Sequence, residues 1–195
     1  MQYKKFIIII SGKARVGKDT FGLKIKNAVH ELSGIEYKKV SLAEPVKEIA
    51  SKYMGWDGKK DKKGRKLLID IGTTIGRAYC QDVWVKYITL YYINPFVIVN
   101  EKCIVCIPDN RFPDEIENII KFRCWDVKII SIRIKGEQRI TSNDFVDKED
   151  STEISMDNYD NFDYTIENNG TTEDLQIKAN EIIHNLFKEK DEIET

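Results

Sequence analysis

Four residues near the start of the chain have the types and spacing to hold a polyphosphate. Gly12, Gly17 and Lys18 stand in the pattern Gly-x-x-x-x-Gly-Lys, and a hydroxyl follows at Thr20. Glycines let backbone N–H groups turn toward phosphate oxygens, and a helix starting at the lysine adds the positive end of its dipole. The lysine reaches the β and γ phosphates, and the hydroxyl helps to hold Mg²⁺. Here the hydroxyl comes one position late, because Asp19 follows Lys18. Asp19 then takes the place of a first-turn acid. A glycine turn with a surface lysine would leave the same letters, so the flanking elements have to decide.

A second constellation lies in PDNRFPDEIENI, where Asp109, Arg111 and Glu115 are spaced two and four apart. An aspartate at a strand's carboxyl end can orient a metal or accept a proton, and an arginine can grip a phosphate with two parallel bonds. The competing reading is a capped helix start with a surface salt bridge.

The elements around both groups alternate. Phe6–Ile10 is an apolar run of the kind found in strands buried on both faces. Phe21, Ile25, Ala28, Val29 and Leu32 then recur with helical spacing, so the glycine loop falls between a strand and a helix, as phosphate binding requires. Further strands are expected at Tyr37–Leu42, Lys102–Ile107, Val127–Ile134 and Phe162–Ile166. Helices are expected at Glu44–Tyr53, Leu67–Ile75, Val83–Ile93, Pro113–Phe122 and Thr172–Phe187. The pattern predicts one three-layer α/β domain with a mainly parallel five-stranded sheet flanked by helices. Its ligand site belongs at the carboxyl ends of the strands. Residues 44–93 are expected to form a helical part, 135–160 a polar stretch and 188–195 an acidic tail.

Composition excludes several function classes. The 195 residues carry a net charge of −1, which gives no global field for a nucleic acid polymer. The longest apolar run is too short to cross a membrane, and a cytoplasmic protein is expected. Cys103 and Cys106 form a C-x-x-C, but on a strand residues three apart face opposite sides and cannot chelate one ion. The basic run Lys59–Lys66 reads as a solvated face or as phosphate attraction near the acceptor. Most of the aromatic stretch Trp84–Tyr92 reads as packing.

The two constellations together resemble the deoxynucleoside monophosphate kinases of the kind carried by tailed phages, whose phosphate loop also displaces the hydroxyl by one. RKLLIDIGTTIGRAYCQDVWVKY is similar to that family's R-x-L-L-x-x-x-G-T segment, VSLAEPVKEIA to its strand-to-helix entry, and DSTEISMDNYDNFDYTIENNGTTEDL to its C-terminal element. The resemblance runs through nearly the whole chain in order. It implies transfer of a phosphoryl group from ATP, with Mg²⁺, to a small nucleotide, in a monomer or homodimer in the cytoplasm (the host's, if phage-encoded).

The resemblance also implies roles. Residues 44–93 would be the substrate-binding part and 135–160 a lid-like segment. Gly12, Arg15, Gly17, Lys18, Asp19 and Thr20 would bind ATP, with Thr20 near the metal. Arg65, Gly72, Thr73, Arg77, Trp84, Arg111 and Glu115 would bind the acceptor, Trp84 near its base and Arg77 near its phosphate. Lys18, Asp109 and Arg139 are the candidate catalytic residues, Arg139 as the arginine of the lid stretch. Two other classes stay open. One is a related small-molecule kinase of the phosphomevalonate or gluconate type. The other is a nucleotide-binding switch or regulatory protein.

Overall fold

A computed structural model describes residues 3–59, 61–124, 126–139 and 154–188. The sheet has five strands, β1 (Lys5–Ser11), β2 (Glu36–Lys39), β3 (Cys103–Asn110), β4 (Lys128–Lys135) and β5 (Tyr164–Glu167), in the order β2-β3-β1-β4-β5. Every pairing among them is parallel, so the expected mainly parallel sheet is fully so among the described residues.

Strand β1 lies at the centre, and its alternation separates two cores. Phe6, Ile8 and Ile10 pack with Phe21 and Ile25 of α1 (Lys18–His30) and with Leu175, Ala179 and Ile183 of α7 (Thr172–Phe187). Ile7 and Ile9 face the other way, toward Val85 and Ile88 of α4 (Val83–Ile88), Val97 of α5 (Asn94–Val99) and Ile116 and Ile119 of α6 (Pro113–Phe122). A strand covered on both faces has to be apolar throughout, which is why the isoleucine run is continuous. The same alternation places Cys106 in the first core and Cys103 in the second, so the C-x-x-C pair is split across the sheet.

A helical part fills the chain between β2 and β3. It comprises α2 (Glu44–Met54), α3 (Lys62–Ile69), a π-helical segment Asp70–Arg77, α4, a second π-helical segment Thr89–Ile93, and α5. Val46, Ala50 and Ile71 form its own small core, with Leu67, Leu68 and Trp84 packed against them. The helices expected at 67–75 and 83–93 are thus each interrupted by π geometry, and the second helical stretch runs on to Val99 rather than stopping at Ile93. The basic stretch after Trp56 is ordered at its far end, where the Asp61 carboxylate caps α3 by accepting from Gly64 N at 2.8 Å.

Strand β2 ends at Lys39, short of the expected Leu42. Most of the expected lid segment and all but the first residue of the acidic tail lie outside the described residues. No helix among the described residues is long and apolar enough to cross a membrane.

Candidate nucleotide and acceptor site

The glycine loop connects the buried end of β1 to the start of α1. Gly17 is the helix N-cap, with φ of 101°, and having no side chain of its own it offers no cap to the first turn. The N–H groups of the first turn therefore face the loop, a geometry suited to an anion. Gly12 has φ of 155°, and a Cβ there would stand 2.7 Å from the Ile134 carbonyl oxygen. Lys18 is buried, and its Nζ donates to the carbonyl oxygens of Gly12 at 2.6 Å and Lys13 at 2.7 Å. The ammonium thus sits folded over the loop, where a bound phosphate would compete for it.

Neighbouring segments brace this loop. Asn168, buried just after β5, donates from Nδ2 to Val16 O at 2.9 Å. Gln138 Nε2 donates to Ala14 O at 3.0 Å, and the backbone N of Arg139 donates to Arg15 O at 3.2 Å. Arg139 is thereby docked beside the loop through its main chain, with the residue exposed. On the other side, Asp157 accepts from Lys13 Nζ at 2.9 Å and from an Arg133 nitrogen at 3.2 Å, next to a separate cavity of about 300 Å³.

The end of β3 carries the second constellation. Its register against β1 shifts between Ile9 and Ser11, so Pro108 and Asp109 together oppose Ile10. This bulge suits a proline, which has no N–H for the ladder, and it re-aims Asp109. The Asp109 carboxylate accepts from Ser41 Oγ at 2.6 Å, Leu42 N at 3.0 Å and Ala43 N at 3.0 Å. It holds the β2–α2 turn to the end of β3. Next to it, Ser11 Oγ donates to the Asn110 side chain, linking the root of the phosphate loop to the same strand end.

These pieces enclose one open cleft of about 470 Å³. Arg15, Lys18 and Asp19 line it from the loop and the start of α1, Arg65 from α3, Asp109 from β3 and Arg111 from the turn just after it. Three motifs distant in sequence therefore meet in one place. Lys39, Ser41, Glu44 and Lys47 complete the walls, and the sequence reading missed all four. Ser41 and Glu44 lie in VSLAEP, directly after β2, with Lys39 and Lys47 on either side of it; the expected strand Tyr37–Leu42 and the strand-to-helix resemblance gave that stretch no binding role. Among the described residues, six cations and three acids line the cleft, a net of +3, with Asp19 paired to Lys39 at 2.9 Å and Glu44 to Lys47 at 3.4 Å.

The remaining candidates sit elsewhere. Thr20 is exposed on the first turn of α1. Arg77 is largely buried and committed to two carboxylates, Asp114 at 2.8 Å and Glu115 at 3.0 Å, with its guanidinium 4.1 Å from the Phe112 ring centroid. An arginine bound this way is a bracket between the π-helical segment and α6, not a donor aimed at the cleft. Glu115 is buried and accepts at Oε2 from Asn110 Nδ2, Arg111 N and Phe112 N, so it shapes the chain that presents Arg111. Burial outweighs these donors and pushes its carboxyl up to about 7. Trp84 packs over Gly76, and its indole N–H donates to Gly72 O at 2.8 Å. Trp84 and Gly72 thus secure the helical part internally, with the half-buried Thr73 beside them.

No protein-family model matches the chain, and no curated protein matches it. Solved structures do. A sugar kinase from Janibacter sp. aligns with a TM-score of 0.50 and 10% identity, over 90% of this chain and 92% of that one. An APS kinase from Mycobacterium tuberculosis in complex with AMPPNP and APS aligns with a TM-score of 0.50 and 10% identity, over 95% and 98%. A gluconokinase from Sinorhizobium meliloti aligns with a TM-score of 0.50 and 10% identity, over 95% of each chain. The likeness is one of fold: the chain shares a three-layer α/β architecture with these solved kinases.

Proposed function

We propose that this protein transfers the terminal phosphoryl group of ATP to a small anionic acceptor, and that the acceptor is a deoxynucleoside monophosphate. The observation that carries this reading is the shared cleft, in which Lys18 and Arg15 of the phosphate loop line the same space as Arg65 and Arg111. A kinase needs a donor cradle and an acceptor grip within reach of each other, and catalysis of phosphoryl transfer is mainly such positioning plus cations that spread the developing charge.

The loop Gly12–Thr20 would hold the ATP phosphates. Its position at a helix N-terminus and the left-handed Gly17 fit an anion, and Thr20 is the loop hydroxyl that would help to hold Mg²⁺. When bound, the metal ion neutralises phosphate charge. Lys18 would leave the carbonyls of Gly12 and Lys13 for the transferred group, and Arg15 would approach ATP from within the loop. Arg65 and Arg111 would bind the acceptor phosphate, which is already an anionic nucleophile and needs no strong base. Asp109 then serves by holding the Ser41–Ala43 turn at the cleft wall. Arg139, docked beside the loop, would enter from above.

A second reading is a small-molecule kinase of the gluconate type, which the fold shared with a gluconokinase and a sugar kinase supports better than it does a deoxynucleotide acceptor. The net positive cleft favours an acceptor with more than one negative charge. The test is release of ADP from Mg·ATP with a panel of deoxynucleoside and ribonucleoside monophosphates, phosphomevalonate and gluconate, with Lys18→Ala as the blank. Stimulation by one or a few deoxynucleotides is the expected result. Stimulation by gluconate or phosphomevalonate alone would replace this reading with the second. ATP binding without stimulation by any acceptor would point to a switch.

A further inference from the structure

The acceptor cleft does not end at its charged walls. At Lys39, Ser41 and Glu44 it adjoins a second cavity of about 340 Å³ that shares those three residues. The inner surface of that cavity is different in kind. The buried Val40 and Ile88 and the ring of Tyr92 give it an apolar lining, beside the polar Lys38, Lys39, Ser41 and Glu44. Lys38 crosses the outer end, with Nζ 5.6 Å from the Tyr92 ring centroid and donating to Tyr92 O at 3.2 Å. Strand β2 is the edge of the sheet, so the cavity opens beside an edge and not within the core.

The fold builds this cavity deliberately out of irregular backbone. Tyr92 belongs to the π-helical segment Thr89–Ile93, and such widened turns gather at functional sites. Within it Tyr91 is 67% exposed, while Ile93 is fully buried and Tyr92 lines the cavity between them. Trp84, the aromatic that the sequence offered for base contact, is used up in packing on Gly76 and Gly72.

We infer that this cavity holds the base of the acceptor, so that the specificity of the site resides in Tyr92, Val40 and Ile88 rather than in Trp84. A ligand that fills both spaces needs an anionic end and a flat body with apolar faces and polar edges. A nucleobase has that form: its faces lie against an aromatic ring and aliphatic side chains, and its edge groups meet Lys38, Lys39 and Glu44. A polyol acid such as gluconate has no apolar face to match these walls. The inference rests on the proposed reading of the charged cleft as the acceptor's phosphate site.

The experiment is calorimetric titration of the full chain with the four common deoxynucleoside monophosphates and with 2-deoxyribose 5-phosphate, which keeps the phosphate and sugar and lacks the base. A non-hydrolysable ATP analogue serves as the control for the loop. Wild type is expected to bind at least one deoxynucleotide about tenfold or more tighter than the sugar phosphate, from stacking on Tyr92. Tyr92→Ala is expected to erase most of that difference, with sugar phosphate and ATP-analogue binding unchanged and circular dichroism native. Wild type binding the sugar phosphate as tightly as every nucleotide overturns the base pocket and leaves the anionic-acceptor reading standing. A folded Tyr92→Ala that keeps the full preference places the base elsewhere and also overturns it. Binding of neither ligand by wild type defeats the acceptor reading and this inference with it.

Discussion

At the scale of single residues, the Asp109-Arg111-Glu115 spacing was legible and its division of labour was not. The spacing located a strand end and a helix start. It could not show that Glu115 turns inward, because the arginine that meets it, Arg77, comes from a segment far upstream. The same hidden pairing removed Arg77 from the acceptor site. Glu115 carries a prediction. Its folded-state carboxyl lies near 7, against an ordinary value of 4.5, so the folded protein binds this proton more tightly than the unfolded chain does. The stabilising contribution is fully present below about 4.5 and is lost as pH rises through about 7. Relative to Glu115→Gln, which does not titrate, wild type is expected to lose on the order of 1–3 kcal/mol between acid and mildly alkaline pH. Thermal denaturation of both proteins across that window measures it, and parallel curves would refute the shift.

At the scale of elements, the long and strongly periodic pieces were readable. Helix α7 has the expected bounds, as does α6, since each combines a clear start signal with an apolar stripe. The π-helical segments were not readable, because an extra residue in a turn leaves the apolar pattern nearly unchanged. One of them has a visible cost: Thr89 is fully buried, and its Oγ1 has no hydrogen-bond partner among the described residues. Thr89→Val replaces that hydroxyl with a methyl of similar size and is expected to raise stability by about 1 kcal/mol, read as a higher denaturant midpoint at unchanged slope. A drop in stability would mean that the hydroxyl has a partner in solution. A second element-level joint is Asp109, which takes three donors from the β2–α2 turn. Asp109→Asn turns an amide toward some of these donors, at an expected cost of about 1–3 kcal/mol. Because the turn forms one wall of the acceptor cleft, KM for the acceptor should rise more than KM for ATP. A fall in kcat alone, with both KM values and stability unchanged, would show that Asp109 acts on the reacting atoms instead.

At the scale of the molecule, fold class, strand count and the place of the glycine loop between β1 and α1 were legible in the sequence, since these follow from alternation along the chain. It did not tell how charge is distributed. A net of −1 over 195 residues reads as electrically neutral, yet among the described residues the cleft lining carries a net of +3 from five separate segments. That asymmetry predicts different salt responses for binding and for folding. The screening length falls from about 10 Å at 0.1 M ionic strength to about 3 Å at 1 M, so attraction of an anion into an open cleft weakens as salt rises. Over that range the acceptor KM is expected to increase severalfold. Once both substrates are bound, their contacts are short and partly shielded from water, so kcat at saturation should move little. Thermal stability should also move little, because the surface pairs, such as Lys66–Asp70 and Lys52–Glu48, are exposed and each worth only about 0–1 kcal/mol. A steady-state series at fixed Mg²⁺ and pH, run beside a melting series in the same buffers, separates the three quantities. If the acceptor KM stays flat with salt while ATP still binds, charge in the cleft does not recruit the acceptor, and the case for a phosphorylated one fails at its source.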